Sequence, residues 1–287
     1  MKTINNVTIG CDPEIFLLDG QQSGKLIASC DKIGGSKDAP LQITGLSMGF
    51  AVQEDNVALE FCIPPATSSD EFVKSVTTAL FEIEQRFVRP IGLNYAFGVS
   101  SHLFDADQLA SEKAMVFGCD PDYNIYTGYE NPKPDVGGAL GEDSWRLRTA
   151  GGHVHFGWKE PTDDQRIAVI RAADIVLGTA AVFLDPDTRR SMLYGKAGAF
   201  RPKRYGAEYR TLSNFWLGSD ALLKWVSEAA LQVIDVANTH ADMLLDDSYE
   251  MLEMAENAIN TRSIRLANAV RKEFKLESGD SLFRLVA

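Results

Sequence analysis

Four strand-like segments of this chain carry acidic, imidazole or guanidinium side chains at alternate positions, and no other feature constrains the fold as strongly. Alternate residues of a strand point to the same face of a sheet. In Gly10–Phe16, Asp12 and Glu14 therefore share a face, while Cys11 and Ile15 point into the opposite layer. Two carboxylates on one face repel each other unless a cation lies between them. A solvated edge of an antiparallel sheet explains this first segment equally well.

The second segment places a single acid in an apolar run. In the predicted strand Asn56–Ile63, Asn56, Ala58 and Glu60 share a face. A lone carboxylate is costly to bury without a partner. Glu60 therefore indicates either a ligand contact or a half-exposed strand with a surface acid.

The third segment holds half of the four histidines of the chain. His153 and His155 share a strand face, and the glycines at 151, 152 and 157 leave room for a ligand to approach the backbone. Imidazoles presented in this way bind a metal or phosphate. A structural histidine pair is the alternative.

The fourth segment is basic in an otherwise acidic protein. Residues 189–204 carry six Lys and Arg side chains, and they lead directly into a predicted strand in which Glu208 and Arg210 share a face that Leu212 and Asn214 continue. Arginines beside a glycine-rich backbone suit phosphate. We therefore predict a local anion site, with a solvated basic loop as the alternative.

Composition narrows the class of protein. The 287 residues include 28 Lys and Arg against 40 Asp and Glu, a formal net charge of −12. This balance argues against general nucleic-acid binding and against anionic membranes. No run approaches the roughly 20 apolar residues of a membrane span, and Met1–Asn6 lacks the apolar core of a signal peptide. Four cysteines without close pairing favour reduced thiols. We therefore expect a soluble, cytoplasmic protein.

Hydrophobic periodicity predicts a single α+β domain over residues 1–287, with a motif-bearing core at about 7–216 and a helical part at 217–287. The predicted strands are Asn6–Leu18, Lys25–Cys30, Ile43–Gln53, Asn56–Ile63, Leu93–Val99, His153–Trp158 and Gly206–Phe215. Capping boxes at Ser68 and Thr162 open two of the helices. The predicted helices run from Ser68 to Pro90, from Thr162 to about Leu184, and from Ser219 almost to Leu276 with a break near Thr239–Asp247.

Two long segments show little periodicity. Residues 105–148 are rich in Gly, Pro and Asp and predict a lid or a substrate loop. Arg189–Lys203 predicts a basic loop. Within the first segment, Gly118–Asp122 nearly repeats Gly10–Glu14, and we interpret this echo as chance or a turn, with a substrate-loop role as the alternative.

The four segments together predict metal and phosphate chemistry. Oxygen-rich ligands with an imidazole favour Mg²⁺ or Mn²⁺ over zinc. Carboxylates for a metal beside an Arg/Lys cluster are what ATP-dependent phosphoryl transfer needs. The sequence contains neither a GxxxxGK[ST] phosphate loop nor a GxSxG nucleophile elbow.

Four sequence motifs resemble those of a known protein family. The motifs are, in order, GCDPEIFL, DNVALEF with IPPA, GGHVHFG and YGKAGAFRPKRYGAEYRTLSNFW. With them the chain resembles the phage-type carboxylate–amine ligases (COOH·NH₂ ligase, type 2), amidoligases of the glutamine-synthetase/glutamate–cysteine-ligase-like superfamily, over roughly Gly10 to Trp216. The resemblance implies a glutamine-synthetase-like catalytic domain. Its curved, mainly antiparallel sheet would form an active-site funnel with helices packed on the outer face, and ATP and the substrates would enter at opposite ends.

The resemblance also implies roles for individual residues. The implied metal ligands are Asp12, Glu14, Glu60, His153 and Glu208. The implied catalytic residues are Arg210, which faces the transferred phosphate, Glu60, and His155, which lies nearer the substrate. The implied nucleotide-phosphate ligands are Arg190, Lys196, Arg201 and Lys203, and the implied substrate residues are Lys37, Asn56 and Asn214. The first strand has Asp-Pro-Glu where glutamine synthetases have Glu-x-Glu, which leaves the number of ligands open.

We therefore predict an ATP- and Mg²⁺-dependent ligase, with Mn²⁺ as the alternative metal. It would join a small-molecule or peptide carboxylate to an amine through an acyl-phosphate, in the host cytoplasm if it is phage-encoded. One alternative is a metal-dependent hydrolase that uses the same carboxylates and histidines. Another is a non-catalytic binding protein on the ligase scaffold. The identity of the substrates and the assembly, including homo-oligomers, stay open at the level of sequence.

Overall fold

The computed structural model describes residues 1–22, 24–116, 122–132 and 143–286. It confirms an α+β protein built on a large antiparallel sheet. The strands are β1 Thr8–Asp19, β2 Leu26–Ile27, β3 Leu41–Gln42, β4 Ala51–Asp55, β5 Ala58–Cys62, β6 Leu93–Ala96, β7 Ser101–Leu103, β8 Tyr123–Asn124, β9 Leu147–Thr149, β10 Gly152–Gly157, β11 Ala199–Lys203 and β12 Gly206–Tyr209.

The strand order brings distant parts of the sequence together. The main sheet has ten strands in the order β3-β4-β5-β1-β10-β12-β11-β8, and β2 and β6 also pair with β1. Every pairing in it is antiparallel. β7 and β9 form a separate two-stranded ribbon. The long strand β1 is central, with β5 on one side and β10 and then β12 on the other.

The two faces of β1 have different surroundings. Cys11 and Ile15 belong to the main hydrophobic core, as the alternation of the sequence predicts. The opposite face is polar at Asp12 and Glu14 and then turns apolar at Phe16, which packs edge-on against Phe104 at 5.2 Å in a second, smaller core. The polar patch on this face therefore borders an apolar region on its C-terminal side.

Helices cover the sheet and build the C-terminal part. They are α1 Ser69–Ile83, α2 Glu112–Met115, α3 Asp163–Ala173, α4 Thr179–Leu184, α5 Arg189–Leu193, α6 Asp220–Thr239, α7 Ala241–Leu244, α8 Glu250–Asn260, α9 Ile264–Glu273 and α10 Gly279–Phe283. α3 packs against α6 and β12, and α6 also contacts α1 and β1. The predicted break in the C-terminal helices lies where α6 ends and α7 begins.

The two predicted capping boxes differ in the structure. At Thr162 both halves form, since its side chain accepts from the backbone of Gln165 and the Gln165 side chain accepts from the backbone of Thr162. At Ser68 only the first half forms. The carboxylate of Glu71 instead accepts from the backbone N–H of Thr67 at 2.7 Å and from the Thr67 hydroxyl at 2.9 Å.

A single π-helical turn, Asp174–Gly178, joins α3 to α4. The whole stretch Asp163–Leu184 is long and apolar enough to cross a membrane by length and composition, so the expectation that no such run exists was wrong. Of its most apolar window, 89% is buried inside the protein, as in the core helix of a soluble domain.

Several predicted boundaries differ from the structure. Ile43–Gln53 is not one strand, because residues 43–50 form the connection between β3 and β4. Asn56 lies in the turn between β4 and β5 with a φ of 55°, so it does not continue the strand face of Glu60. The predicted strand Gly206–Phe215 ends at Tyr209, and a 3₁₀ turn begins at Asn214.

The two segments predicted as loops contain regular elements. Arg189–Lys203 holds α5 and β11, so most of its cations lie on a helix or an inner strand rather than on a solvated loop, while Lys196 lies in the connection between the two elements. Residues 105–148 contain α2, β8, β9 and 3₁₀ turns within their described parts. The predicted echo at Gly118–Asp122 lies outside the described residues except for Asp122. Cys11, Cys30 and Cys62 are free thiols, and Cys119 also lies outside the described residues.

Candidate active site

Strand register brings the predicted polar residues into one patch. Asp12 of β1 is directly opposite His153 of β10, and His155 of β10 is opposite Glu208 of β12. On the other side of β1, Glu14 is opposite Glu60 of β5. Asp12 and Glu208 are more than 190 positions apart along the chain. They nevertheless lie close together on one face of the sheet, with only β10 between their strands.

Asp12, His153 and Glu208 form a group with the geometry of a cation site. One ligand atom from each lies within 4.8 Å of the others. Nδ1 of His153 is 3.3 Å from Asp12 Oδ1 and 3.6 Å from Glu208 Oε1. Burial and then Arg210 lower the pKa of His153, which keeps its imidazole neutral, as a metal ligand requires. Oδ1 of Asp12 is buried and makes no hydrogen bond among the described residues, so it fits a cation.

Glu208 is fully buried and is the negative centre of a cationic ring. Its carboxylate accepts from Arg210, lies 3.3 Å from Arg201 and 2.6 Å from Lys203. Burial and Asp12 raise the pKa of Glu208, but His153 and Arg210 outweigh them and lower it to about 2. Glu208 is therefore charged at any ordinary pH and holds the cations of β11 against the metal-type group.

Three carboxylates, Glu14, Asp55 and Glu60, crowd the other side of the patch. Burial, and then Asp55, raises the pKa of Glu14 to about 8. Burial and then Asp12 raise the pKa of Glu60 well above its usual range. Burial also raises the pKa of Asp55, although Lys37 opposes this. Acids that hold one another protonated fit a bound cation, which would return them to the charged form.

His155 is placed beside Asp12 rather than in the three-residue group. Its Nε2 lies 3.1 Å from Asp12 Oδ1, and its Nδ1 lies 2.9 Å from the hydroxyl of Tyr205. Burial lowers the pKa of His155, but Asp12 reverses this and raises it overall. The imidazole of His155 therefore contacts the carboxylate of Asp12, which is itself a candidate metal ligand.

Two cavities meet at this patch. The larger has a volume of about 350 Å³ and the smaller about 50 Å³. Both are lined by a shared wall of Glu14, Asp55, His153 and Arg210. Two cavities that share a wall of charged and imidazole side chains suit a reaction that joins two molecules.

The structure brings most of the predicted site residues together. The larger cavity is lined by Asp12, Glu14, Lys37, Glu60, His153, His155, Arg201, Lys203 and Arg210. The smaller is lined by Glu14, Asn56, His153, Arg190 and Arg210. Arg190 was grouped with the nucleotide ligands, but it lines the smaller cavity, and two of its guanidinium nitrogens donate to the carbonyls of Thr211 and Arg210.

Two predicted residues lie away from both cavities as the described residues define them. Lys196 is half-buried, and its Nζ donates to the carbonyl of Ser191 at 2.7 Å. Asn214 is fully buried, and its side-chain nitrogen donates to the carbonyls of Glu14 at 2.8 Å and Val99 at 3.2 Å. Asn214 therefore fixes the backbone of β1 beneath Glu14, and its contact with a substrate stays a prediction.

Sequence reasoning did not assign three polar residues of the site. Asp55 lies on the wall of both cavities, and its adjacency to Asn56 in the second motif was the available signal. Arg148 and Tyr194 line the smaller cavity. Arg148 is the last residue of the predicted loop 105–148. This segment shows no periodic pattern that could have indicated a role for it.

We expect the metal-free protein to lose stability as pH rises toward 8. A carboxyl whose pKa is about 8 when folded and about 4.5 when unfolded binds more protons in the folded state between these values. Its contribution is complete below pH about 4.5 and is lost as pH rises through about 8. Thermal unfolding in EDTA should show this slope, and Glu14→Gln should flatten it.

Saturating Mg²⁺ should remove the slope, because a cation lets Glu14 ionise without repulsion. Asp174, whose pKa burial raises to about 7, adds a smaller slope that both proteins share. An equal pH dependence in wild type and Glu14→Gln would contradict the assignment of Glu14 to this patch of interacting acids.

The comparisons with known proteins define a class and a family. The class is the one that the description of the family gives, the COOH.NH2 ligases. The chain belongs to the phage phiEco32-like COOH.NH2 ligase-type 2 family, whose model matches residues 133–276, half of the sequence. The matched region includes β10, β12 and the helices α6 to α9, and it leaves out β1 and β5.

A further comparison concerns solved structures. The crystal structure of a bifunctional glutathione synthetase from Pasteurella multocida is similar, with a TM-score of 0.49 and 12% sequence identity, over 98% of this chain and 48% of that chain. The chain thus spans about half the length of that protein. No curated protein sequence matches the chain significantly.

Proposed function

We propose that the protein is an ATP- and Mg²⁺-dependent ligase that joins a carboxylate to an amine through an acyl-phosphate. One observation carries the proposal: the buried carboxylate of Glu208 lies between two metal-type ligands, Asp12 and His153, and the phosphate-type cations Arg201, Lys203 and Arg210, and these five side chains all line the larger cavity. Phosphoryl transfer needs both kinds of group on one charged centre. Family membership supports the same reaction class.

The residues divide the work by position. The larger cavity, with Lys37, Arg201 and Lys203 on its wall, binds the nucleotide phosphates. A divalent cation held by Asp12, His153 and Glu208, with Glu14 and Glu60 close by, would neutralise phosphate oxygens. Arg210 lies on the wall between the cavities and stabilises the charge on the group in transfer.

The remaining groups serve the joining step. Asn56 and Arg190 on the smaller cavity bind the second substrate. His155, which contacts Asp12 and Tyr205, lies at the rim of the larger cavity and moves protons near the reacting carboxyl. An antiparallel sheet that carries its acids on one face supports the glutamine-synthetase-like superfamily as the origin of this arrangement. A cytoplasmic location in a phage-infected host is part of the same proposal.

Trapping with hydroxylamine tests the reaction without knowledge of the amine. Hydroxylamine replaces the amine and converts an acyl-phosphate into a stable hydroxamate. We expect incubation of host extract with enzyme, ATP and Mg²⁺ to yield a new hydroxamate by mass spectrometry, together with ADP. Omission of ATP or Mg²⁺ should abolish it. Metal-dependent loss of a metabolite without ATP would instead indicate a hydrolase, and no nucleotide binding at all would indicate a binding protein.

The variant Lys203→Met tests whether the cations that line the larger cavity bind the nucleotide. Lys203 lies 2.6 Å from Glu208 on the wall of the larger cavity. We expect its loss to weaken binding of Mg²⁺·ATP by roughly 10-fold or more, the scale of one charge-assisted hydrogen bond. Calorimetric titration of the whole chain measures this.

Lys196→Met is the matched control, since Lys196 comes from the same basic segment but bonds a backbone carbonyl away from the cavity. Its affinity for Mg²⁺·ATP should equal that of wild type. If both variants lose affinity equally, the placement of the nucleotide in the larger cavity is wrong.

A further inference from the structure

The segment 122–131, which we call the Asp122 loop, reaches the site through a single carboxylate. Oδ1 of Asp122 accepts from Nε of Arg210 at 3.1 Å, and the two side chains are 13% and 4% exposed. Oδ2 of Asp122 accepts from Asn131 at 3.0 Å, and its carbonyl accepts from the Asn131 backbone at 2.7 Å. Asp122 thus closes the loop on itself and contacts Arg210 with its remaining oxygen.

Arg210 is held at two edges of its guanidinium group. Glu208 accepts from Nη1, and Asp122 accepts from Nε. A guanidinium is planar, with its N–H groups in a fixed fork, so two carboxylates on different edges fix the orientation of the plane.

The far side of the Asp122 loop is anchored in the core. Tyr126 donates from its hydroxyl to Oδ2 of Asp174 at 2.8 Å, and Tyr209 donates to Oδ1 of the same carboxyl at 2.7 Å. Tyr209 precedes Arg210 in the chain. Asp174 is fully buried on the π-helical turn, so one carboxyl ties the Asp122 loop and the end of β12 to the core helix.

Close packing completes the anchor. The backbone N–H of Ile125 donates to the carbonyl of Gly198 at 3.0 Å. Gly198 has a φ of 72°, and a Cβ there would lie 2.7 Å from the ring of Tyr126. A glycine is needed at this position for Tyr126 to reach Asp174. The contact between Tyr126 and Asp174 therefore fixes the position of the Asp122 loop on the protein.

We propose that Asp122 is a positioning residue that orients Arg210 for the transferred phosphate, and that the Tyr126–Asp174 contact holds Asp122 in place. The inference rests on the proposed role of Arg210. It also gives a function to the one described residue of the sequence echo Gly118–Asp122. An arginine oriented before substrate arrives stabilises developing charge without reorganisation.

The first experiment tests the geometry alone. The Nε–H signal of Arg210, assigned by its disappearance in Arg210→Lys, is followed by NMR in the whole chain. We expect Asp122→Asn to speed exchange of this proton with water by roughly 10-fold or more, because the charged acceptor is lost. Tyr126→Phe, which leaves Asp122 intact, should produce a change in the same direction and serves if Asp122→Asn does not fold.

Asp105→Asn is the matched control. Asp105 pairs with Arg146 at 3.2 Å in the same part of the chain, but on the exposed surface. Its removal should leave the Arg210 signal unchanged. Equal exchange rates for Arg210 in wild type and Asp122→Asn would overturn the proposal.

The second experiment tests the consequence for the ligand. We expect Asp122→Asn to weaken Mg²⁺·ATP binding by roughly 10-fold, the scale for a residue that orients a direct ligand. In an Arg210→Lys background the same change should cost less than about twofold, since the fork it orients is gone. An equal loss in both backgrounds would overturn the positioning role.

The two experiments separate two failures. If the wild-type chain binds no Mg²⁺·ATP, the proposed function fails, while the exchange rate of the Arg210 proton still decides whether Asp122 orients it. If wild type binds the nucleotide and Asp122→Asn matches it in affinity and exchange, the positioning proposal alone fails.

Discussion

Asp12→Asn is expected to reduce ATP-dependent hydroxamate formation by at least about 100-fold, because loss of even an indirect partner of a metal ligand costs about 10- to 100-fold. Asp12 contacts both histidines of β10, at 3.3 and 3.1 Å. Burial raises the pKa of Asp12, but His155 and His153 lower it well below its usual range. The carboxylate is therefore charged at neutral pH.

The fold should survive this substitution. Asparagine has nearly the same shape, and removal of a charge from a crowded acidic patch relieves repulsion of Glu60 and Asp55. Because the histidines lower the pKa of Asp12, its charge stabilises the folded state, so the Tm in EDTA should fall moderately, and the stabilisation by Mg²⁺ should disappear.

Glu82→Gln provides the control for the loss of one carboxylate. Glu82 lies on α1 in an ion pair with Arg86 on the surface, and such pairs contribute little to stability. Its activity and its response to Mg²⁺ should match wild type. Full activity of Asp12→Asn with Mg²⁺ would remove Asp12 from the metal-binding group.

Gly152→Ala is expected to destabilise the fold by about 3 kcal/mol, at the upper end of the usual range for overpacking. A Cβ at Gly152 would lie 2.3 Å from the carbonyl oxygen of Ser213 and 2.4 Å from Nε1 of Trp216. Trp216 is fully buried and donates from that nitrogen to the carbonyl of Gly152 at 3.0 Å. Backbone and a buried indole cannot move aside, so the Tm should fall by roughly 6–12 °C.

Gly151→Ala, one residue earlier, should act on the site instead. A Cβ there would lie 2.5 Å from Nε2 of His153, the free end of a side chain that can rotate. We expect the Tm to change little and the stabilisation by Mg²⁺ to be lost, because the imidazole leaves the group with Asp12 and Glu208. Thermal unfolding of both variants with and without Mg²⁺ separates the two effects.

A reversed result would contradict this account of the motif. If Gly151→Ala unfolded the protein and Gly152→Ala retained wild-type stability, the two glycines would not have the surroundings described. If Gly151→Ala bound Mg²⁺ as wild type does, His153 would not be a ligand.

The local parts of the fold were predictable from sequence. Strand alternation placed Asp12 and Glu14 on one face of β1 and Cys11 in the core, because a strand has a period of two whatever its neighbours are. The helix starting at Thr162 was predicted from its capping box, which forms by contacts within four residues. Segments with strong periodicity or a cap were correct to within a few residues.

The errors lie where non-local contacts decide. Residues 189–203 were predicted to form a basic loop, because charged side chains usually lie on the surface. Pairing with β12 instead makes Ala199–Lys203 an inner strand beside Glu208. Strand alternation, continued past Tyr209, wrongly placed Asn214 on the strand face of Glu208 and Arg210. The chain turns there, and the side chain bonds the backbone of Glu14 instead.

The sequence by itself determined which side chains share a face within β1 and within β10, and the family that the chain resembles. Only the tertiary structure decided which of these side chains meet. Asp12 and Glu208 are neighbours because β10 lies between β1 and β12, and Arg210 is oriented by Asp122 from a segment without any periodic pattern. The physical reason is that the face of a residue depends on local backbone geometry, whereas strand order and ion-pair partners depend on packing across the whole chain.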